Sequence, residues 1–212
     1  HLKGASNLGV PMVGVGLLYR SGYFRQTVDG DGYQQHFYPV YDFARLPVRP
    51  VQAPTGGVLT VPVNLPGRVV QAAVWKAQVG SVPVLMLDTD IPLNDPADRP
   101  ITGQLYVRGR EMRLCQEIVL GVGGVRALRA LGIRPAVWHM NEGHVAFLGL
   151  ERAREYVARG ESLASALEMV AKNSVFTTHT PVPAGNEQFE LPLVKRYLEP
   201  WADEVGCEPE EG

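Results

Sequence analysis

Apolar and polar positions follow two different patterns along the chain. Up to about residue 88, short β-prone runs are separated by Gly and Pro, whereas from Arg110 onward apolar residues recur at helical spacing. The first pattern predicts a buried strand over Val10 to Tyr19 and an antiparallel meander of three strands, Gly57 to Val63, Arg68 to Gln78 and Val82 to Asp88. The chain therefore begins with strands and continues with helices that alternate with strands.

Two aromatic runs, residues 23–28 and 33–38, flank the turn sequence Asp29-Gly30-Asp31-Gly32 and predict a β hairpin. Residues 39–54 carry several prolines and are expected to form a loop. The first residues resemble the last turns of a helix that ends at Gly9. Because the chain also begins without Met, we expect it to be a piece of a longer polypeptide.

The longest helix is predicted over Arg110 to Leu131, with Gly132 as its stop signal. Three glycines lie inside it, and each lowers helix propensity by about 1 kcal/mol relative to Ala. That loss is tolerable where another backbone packs closely. Further helices are expected at residues 143–159, 163–172 and 192–198, and residues 199–212 are expected to form a polar tail or the start of a linker.

Two short apolar runs end in polar clusters that contain histidine, at residues 135–144 and 174–186. Strands separated by helices form βαβ units, whose parallel strands point the same way, so both clusters should lie at the carboxyl edge of a sheet. Ligands of open α/β sheets bind at that edge. The side chains expected to line one crevice there are His139, Asn141, Glu142, His144 and His179.

A single histidine after a strand is more often a capping or core residue than a ligand-binding one. Here three of the five histidines occupy equivalent positions, which favours a functional site. A metal site is not favoured, because His139 and His144 are five residues apart and do not match the spacing of zinc motifs. The acidic pair Asp88 and Asp90 could also suggest a metal site, but two prolines follow it. These two residues are therefore interpreted as turn residues.

Composition places the chain among soluble globular proteins, with 45% hydrophobic and 20% charged residues. A net charge of -2 gives no electrostatic reason to expect nucleic acid or an anionic membrane as a partner. Two cysteines, Cys115 and Cys207, provide no disulfide framework, so a reducing cytoplasm is the simplest location. No apolar run is long enough for a transmembrane helix.

The polar groups of the predicted crevice favour a polyhydroxy ligand. The sequence has no nucleophile elbow, Walker loop or dinucleotide fingerprint. Instead, His, Asn and Glu side chains offer the donors and acceptors that sugar hydroxyls require. The residues show no obvious acid and nucleophile pair for glycoside hydrolysis.

Four segments, in the same order, resemble the α-glucan phosphorylases of the glycogen, starch and maltodextrin phosphorylase family, particularly the shorter bacterial and archaeal branch. The resemblance extends from His1 to Leu198. Its most specific segments are Gly14 to Tyr19 with Gly22 to Gln26, Arg113-Leu114-Cys115-Gln116-Glu117, Trp138-His139-Met140-Asn141-Glu142-Gly143-His144, and Thr177 to Gly185.

The resemblance implies that residues 1–198 are part of the N-terminal Rossmann-like domain of a GT-B glycosyltransferase fold: an α/β domain with a mostly parallel sheet and an appended antiparallel meander. Members of the family use orthophosphate to release glucose 1-phosphate from α-1,4-glucans, with pyridoxal phosphate as cofactor. The residue that matches the family's catalytic histidine is His179. The matching substrate-binding residues are Arg113, Asn141, Glu142, His144 and Thr180.

The resemblance also implies what this chain lacks. None of its four lysines matches the lysine that forms the Schiff base with the cofactor, so that lysine is expected outside this chain, in the C-terminal domain of the same polypeptide. The gate loop of the family is reduced here to residues 106–111. On its own the chain is expected to be inactive and, with its apolar interdomain surface exposed, to self-associate.

Two other functions remain open from the sequence. One is a GT-B glucan synthase that uses a nucleotide sugar and does not depend on pyridoxal phosphate. The other is a non-catalytic glucan-binding module that has no partner domain.

Overall fold

A computed structural model describes residues 1–182 and 187–207 of the chain. Its helices and strands, in chain order, are α1 (Leu2–Asn7), β1 (Gly14–Leu17), β2 (Arg25–Val28), β3 (Gln34–Phe37), β4 (Val48–Pro50), β5 (Thr60–Leu65), β6 (Arg68–Val79), β7 (Val82–Asp88), α2 (Arg110–Ile118), α3 (Gly124–Ala130), β8 (Trp138–Asn141), α4 (Phe147–Val157), α5 (Leu163–Lys172), β9 (Ser174–Thr177) and α6 (Leu191–Val205). The predicted α/β class is confirmed.

The chain separates into two compact units. The first contains His1–Thr60 and Ala73–Arg108, and the second contains Val61–Ala72 and Gly109–Gly212. The partial domain that the sequence predicts over residues 1–198 contains residues of both units. All six predicted site residues belong to the second unit.

The first unit is built on a mixed sheet in which β7 pairs with β1 in parallel and with β6 in antiparallel orientation. Strand β4 pairs with the other side of β6 and lies at the end of the strand order. The prediction of a loop over residues 39–54 missed this strand. Its Pro50 is compatible with a terminal strand, because only an interior strand needs every N–H for pairing.

The core of the first unit contains Leu18, Phe43 and Val48, and Trp75 packs against it with its ring 5.6 Å from that of Phe43. The predicted hairpin is confirmed as an antiparallel β2–β3 pair, and both of its strands are exposed. The predicted strand over residues 10–19 is shorter than expected, because β1 pairs with β7 only over Gly14–Leu17.

The second unit contains the predicted βαβ arrangement. Strands β8 and β9 pair in parallel and in register, and α4 and α5 connect them. Helix α4 is followed by Gly160, which has φ 99°, and α5 begins after Ser162, whose hydroxyl accepts a hydrogen bond from the Ser165 N–H at 3.2 Å. Both boundaries follow from local sequence signals. Ala153, Ala166 and Val170 form the core between these two helices.

The long helix predicted over residues 110–131 is present, but a π-helical turn, Val119–Gly123, divides it into α2 and α3. A Cβ atom on Gly121 would lie 2.6 Å from the backbone nitrogen of Leu148 in α4. The glycine therefore permits two backbones to approach each other closely, which is the reason the sequence suggested for glycines in this helix. π-Helical turns commonly occur at functional sites.

The predicted polar tail is wrong for residues 199–205. Helix α6 continues through Pro200 and ends before Gly206, which has φ 66°. It continues because the side chains of Tyr197, Ala202 and Val205 are buried, and the Trp201 indole donates a hydrogen bond of 2.8 Å to the carbonyl of Leu150. Residues 208–212 of the predicted tail lie outside the described residues.

Helix α4 buries charged as well as apolar side chains. Leu148 and Ala153 are buried, and so are Glu151 and Arg152. The Glu151 carboxylate binds Arg126 and Arg154, and the Arg152 guanidinium lies 4.7 Å from the centre of the Trp138 ring. Within the part of the chain that the structure describes, no helix is long and apolar enough to span a membrane.

Candidate functional site

The parallel pair β8–β9 brings the two predicted clusters together. Asn141 at the end of β8 lies opposite Thr177 at the end of β9, and the Glu142 N–H donates a hydrogen bond of 2.8 Å to the Thr177 carbonyl. The chain leaves the sheet at the same level on both strands. We call residues 141–142 and 177–180 the junction. Its position at a carboxyl edge confirms the geometry expected of parallel strands.

The Glu142 carboxylate is the centre of the junction. Its Oε1 accepts hydrogen bonds from the His179 N–H at 2.6 Å, the Thr180 N–H at 3.2 Å and the Thr180 hydroxyl at 3.3 Å, and its Oε2 accepts one from the Thr178 hydroxyl at 3.2 Å. The Glu142 backbone has φ 67°, a left-handed conformation that is unfavourable for a residue with a side chain. The hydrogen bonds to its carboxylate hold it there.

These donors also determine the charge of Glu142. The His179 N–H, followed by the two threonine hydroxyls and the Thr180 N–H, lowers the pKa of the carboxyl group in opposition to burial. Glu142 is therefore a carboxylate at neutral pH. Only 8% of the Glu142 surface is exposed. Glu142 and Thr180, both predicted to bind substrate, bind each other and shape the loop that carries His179.

His179 is exposed and its ring is oriented by Asn141. The His179 Nε2 lies 2.8 Å from the Asn141 Oδ1, and because an amide oxygen can only accept, Nε2 carries the proton. Asn141 is also exposed, so the pair presents an imidazole and an amide to a ligand. The same side of β8 carries His139, whose Nε2 lies 2.7 Å from the Thr177 hydroxyl. His139 is part of the strand itself, whereas the sequence had grouped it with the residues that follow.

A charged cluster, which we call the helical wall, consists of Arg113 and Glu117 of α2 together with His144 and Glu187 from later segments of the chain. The Arg113 Nε lies 3.2 Å from Glu117 and 3.5 Å from Glu187, between two carboxylates. Glu187 also pairs with Arg110 at 3.0 Å. The guanidinium of Arg113 is thus fixed by residues from two separate segments of the chain.

Two titratable residues of the wall, Glu117 and His144, have pKa values that are shifted by burial. Burial raises the pKa of Glu117 to about 7, although Arg113 opposes the shift. Burial, with the repulsion of Arg113, lowers the pKa of His144 below its usual value, although Glu142 and Glu187 oppose the shift. At neutral pH His144 is a neutral donor and acceptor.

No sequence signal indicated Glu187, because nothing in the local pattern distinguishes it from other acidic residues in loops. Glu117 had a weak signal, since it belongs to a polar set on a helix that is otherwise apolar. Thr178 gave no signal beyond its place in the motif. Pro183, Ala184 and Gly185 of that motif lie outside the described residues.

The arrangement suits binding of a neutral polar ligand better than nucleophilic attack by the protein. The junction offers an imidazole, an amide and hydroxyl groups, and the wall offers one cation and neutral His144. Among residues 1–182 and 187–207, no group of three or more His, Cys, Asp or Glu side chains is arranged to hold a metal ion. Lys172 and Lys195, the two lysines of the second unit, lie on α5 and α6.

Several curated relatives of the chain are named phosphorylases. The glycogen phosphorylase of Mycobacterium tuberculosis (strain H37Rv) is 50% identical over 205 residues, which is 93% of this chain and 24% of that protein. The maltodextrin phosphorylase of Thermococcus litoralis is 44% identical over 198 residues, with the same shares of coverage. The chain therefore spans about a quarter of the length of these relatives, at a level of identity that establishes homology.

No protein-family model matches the chain. Among solved structures, the catalytic domain of starch synthase IV from Arabidopsis thaliana, bound to ADP and acarbose, superposes with a TM-score of 0.39 and 15% identity over 63% of this chain and 23% of that one.

Proposed function

Because this chain is homologous to a segment of the glycogen and maltodextrin phosphorylases, we propose that the protein to which it belongs cleaves α-1,4-glucans with orthophosphate and releases glucose 1-phosphate. In this reaction the glycosidic bond breaks and a phosphate oxygen bonds to the anomeric carbon. The departing sugar oxygen takes a proton that comes from orthophosphate. This chain contributes one wall of the site, as part of the N-terminal domain of a GT-B fold.

The observation that carries the proposal is the fixed and exposed pair of Asn141 and His179. Sugar hydroxyls both donate and accept hydrogen bonds, and an amide with an imidazole supplies both functions. Four hydrogen bonds to the Glu142 carboxylate hold the segment that carries His179, and the Asn141 Oδ1 orients the His179 ring. A preorganised polar group is worth more in catalysis than a mobile one, because it does not have to be ordered as the reaction proceeds.

Within this proposal His179 is the catalytic residue that contacts the glucose at the cleavage site. Asn141 orients the imidazole and shares the contact. Arg113 and His144 line the adjoining glucan channel, where a neutral histidine matches a neutral substrate. Glu142 and Thr180 act through His179, because their polar groups are already engaged with each other.

Pyridoxal phosphate is implied by the family, and the residues of this chain do not fit it. A Schiff base requires a lysine at the site, but the junction and the wall contain none. The cofactor would then be held by the remainder of the polypeptide, its C-terminal domain, which completes the site. The glucan and orthophosphate are the proposed substrates. The location proposed for the protein is a reducing cytoplasm, which suits Cys115 and Cys207, since they form no disulfide.

The proposal is tested by incubating the full-length protein with a maltooligosaccharide in orthophosphate buffer, with and without pyridoxal phosphate, and measuring glucose 1-phosphate. We expect release that depends on the cofactor. Cofactor-independent transfer from a nucleotide sugar would indicate a glucan synthase instead, and glucan binding with neither reaction would indicate a binding module.

The Arg113→Ala variant tests whether Arg113 belongs to the glucan channel or to the cofactor site. Arg113→Ala should weaken glucan affinity or lower turnover while the amount of bound cofactor stays unchanged, because Arg113 belongs to the wall of this chain. Cofactor content is measured by absorbance after denaturation. Loss of cofactor from this variant would show that the assignment of Arg113 to the channel is wrong.

A further inference from the structure

The position of Arg113 depends on a carboxyl group that lies behind it. The Glu117 side chain is 5% exposed, whereas that of Glu187, the other carboxylate near Arg113, is 35% exposed. Glu187 is also shared with Arg110. Glu117 therefore faces Arg113 from the interior, and Glu187 faces it from the side of the solvent.

The contact between Glu117 and Arg113 is an ion pair with poor hydrogen-bond geometry. The Arg113 Nε and the Glu117 Oε1 are 3.2 Å apart, yet neither buried atom makes a hydrogen bond of acceptable geometry in the described part of the chain. Attraction between the charges thus holds the pair more than a directed hydrogen bond does, and the Arg113 Nη1 also donates a long hydrogen bond of 3.4 Å to the Gln116 Oε1. The attraction between the charges is lost when the carboxyl group becomes neutral.

We propose that Glu117 is a positioning residue that holds the Arg113 guanidinium in its glucan-binding orientation while it is ionised, and that protonation of Glu117 releases Arg113 and weakens glucan binding. The inference rests on the proposed function, since it names the group that controls a residue of the same site.

The surroundings of Glu117 single it out as the group that titrates. Arg110 and Glu111 are the other charged residues of α2 near its start, and Glu111 is engaged by Arg196 and Tyr197 of α6. The π-helical turn has no charged residue, and the 3-10 turn before α4 contributes only His144. The charged residues of α4 pair elsewhere or bind polar groups of α5 and β9: Glu151 with Arg126 and Arg154, Glu155 with Arg129, and Arg152 with Asn173 and Ser174.

The chemistry of Glu117 supports a change near neutral pH. Burial raises its pKa to about 7, the nearby Glu187 charge adds to the shift, and Arg113 opposes it. Above that pH the carboxylate attracts Arg113. Below it the neutral acid does not, and Arg113 moves toward Glu187. Glucan affinity should therefore fall as the pH falls through the neutral range.

The test is calorimetric titration of maltoheptaose into the full-length protein in a buffer without phosphate, from about pH 8.5 to about pH 5.5. For the wild type we expect affinity to fall about tenfold across this range, which is the effect of one charge-assisted contact. Glu117→Gln should bind weakly at every pH, because Gln imitates the protonated acid. Glu117→Asp, which keeps a titrating carboxyl group, should restore a pH-dependent step.

Two further variants serve as controls. Arg113→Gln should also lack the step, because Glu117 acts only through Arg113. Glu204→Gln breaks a different ion pair, with Arg154 at 3.4 Å, and should keep the wild-type profile. A step that persists in Glu117→Gln or in Arg113→Gln overturns the inference, and so does a wild type that binds with the same affinity at every pH. A wild type that shows the step but releases no glucose 1-phosphate overturns the proposed function alone.

Discussion

The junction and the helical wall each contain a buried glutamate, and the two behave in opposite ways. Glu142 is 8% exposed and Glu117 is 4% exposed. The pKa of Glu142 is lowered, whereas burial raises the pKa of Glu117 to about 7. The residue type and the exposed fraction are nearly the same, but burial outweighs the nearby Arg113 charge at Glu117, whereas hydrogen-bond donors outweigh burial at Glu142.

The number and alignment of hydrogen-bond donors separate the two regions. Glu142 accepts hydrogen bonds from two backbone N–H groups and two hydroxyl groups, whereas Glu117 has one poorly aligned cation. Glu151 on α4 agrees with this explanation, because two arginines that each donate two hydrogen bonds lower its pKa despite burial. Several directed donors outweigh burial at Glu142 and Glu151, whereas burial outweighs the single cation at Glu117.

The largest effect is expected at the junction. Glu142→Ala should lower turnover of the full-length protein about a hundredfold, because the loop that presents His179 loses all four hydrogen bonds. Glu142→Gly is the matched variant, since glycine adopts φ 67° without strain and also lacks the carboxylate. Both variants should be impaired equally in a coupled assay for glucose 1-phosphate. Normal turnover of the glycine variant would mean that the backbone of Glu142, and not its carboxylate, matters.

Packing behind the wall gives the next largest effect. Gly121→Ala should lower the free energy of unfolding by about 1–3 kcal/mol, because the added methyl group overlaps the backbone of α4. Chemical denaturation of the full-length protein measures it. Gly149→Ala is the control, since a Cβ atom there meets only the Val170 Cγ1 at 3.9 Å. Equal stability of the two variants would show that the close approach of α4 at Gly121 does not constrain the helix.

His179→Ala tests the side chain that the junction presents. Turnover should fall more than tenfold, the effect of one lost hydrogen bond to the substrate. The thermal midpoint should not change, because the imidazole is exposed. Steady-state kinetics and differential scanning fluorimetry measure the two quantities. A variant with near-normal turnover would contradict the catalytic role, and one with a much lower midpoint would assign His179 a structural role.

The smallest effect is the pH dependence of stability at the wall. The folded protein keeps the Glu117 proton up to about pH 7, whereas the unfolded chain loses it near the ordinary value of 4.5. Stability that the wild type has at low pH is therefore lost as the pH rises between these values. Glu117→Gln does not lose this stability. As the pH rises from 4.5 to about 7, the difference between the thermal midpoint of Glu117→Gln and that of the wild type should therefore increase by about 2 °C. Parallel midpoints at all pH values would show that Glu117 does not titrate there.

Local sequence signals predicted much of the framework. Alternating apolar residues and turn residues located β5, β6 and β7 to within a few positions, and the helix predicted over residues 163–172 coincides with α5. These signals work because a turn or a cap depends on residues that are two to four positions apart. The parallel orientation of β8 and β9, which places the junction at one edge, followed from the helices between them.

The errors occurred where distant residues decide the outcome. Helix α6 continues past the predicted end because Trp201 packs against α4 and its indole binds the Leu150 carbonyl. The π-helical turn forms beside the close approach of α4 at Gly121. In both cases the contacting residues, Trp201 with Leu150 and Gly121 with Leu148, are more than 20 positions apart in the sequence.

The sequence by itself determined which chemical groups this protein brings to the edge of its sheet, and the tertiary structure decided what each group does there. Glu142 is predicted to bind substrate, and in the folded chain its carboxylate also accepts a hydrogen bond from the backbone of His179, 37 positions away. Arg113 was predicted as a channel residue, but its contact with Glu187 exists only in the folded chain. The role of a charged side chain depends on the donors and charges within a few ångströms of it, and for both residues some of these come from distant parts of the chain.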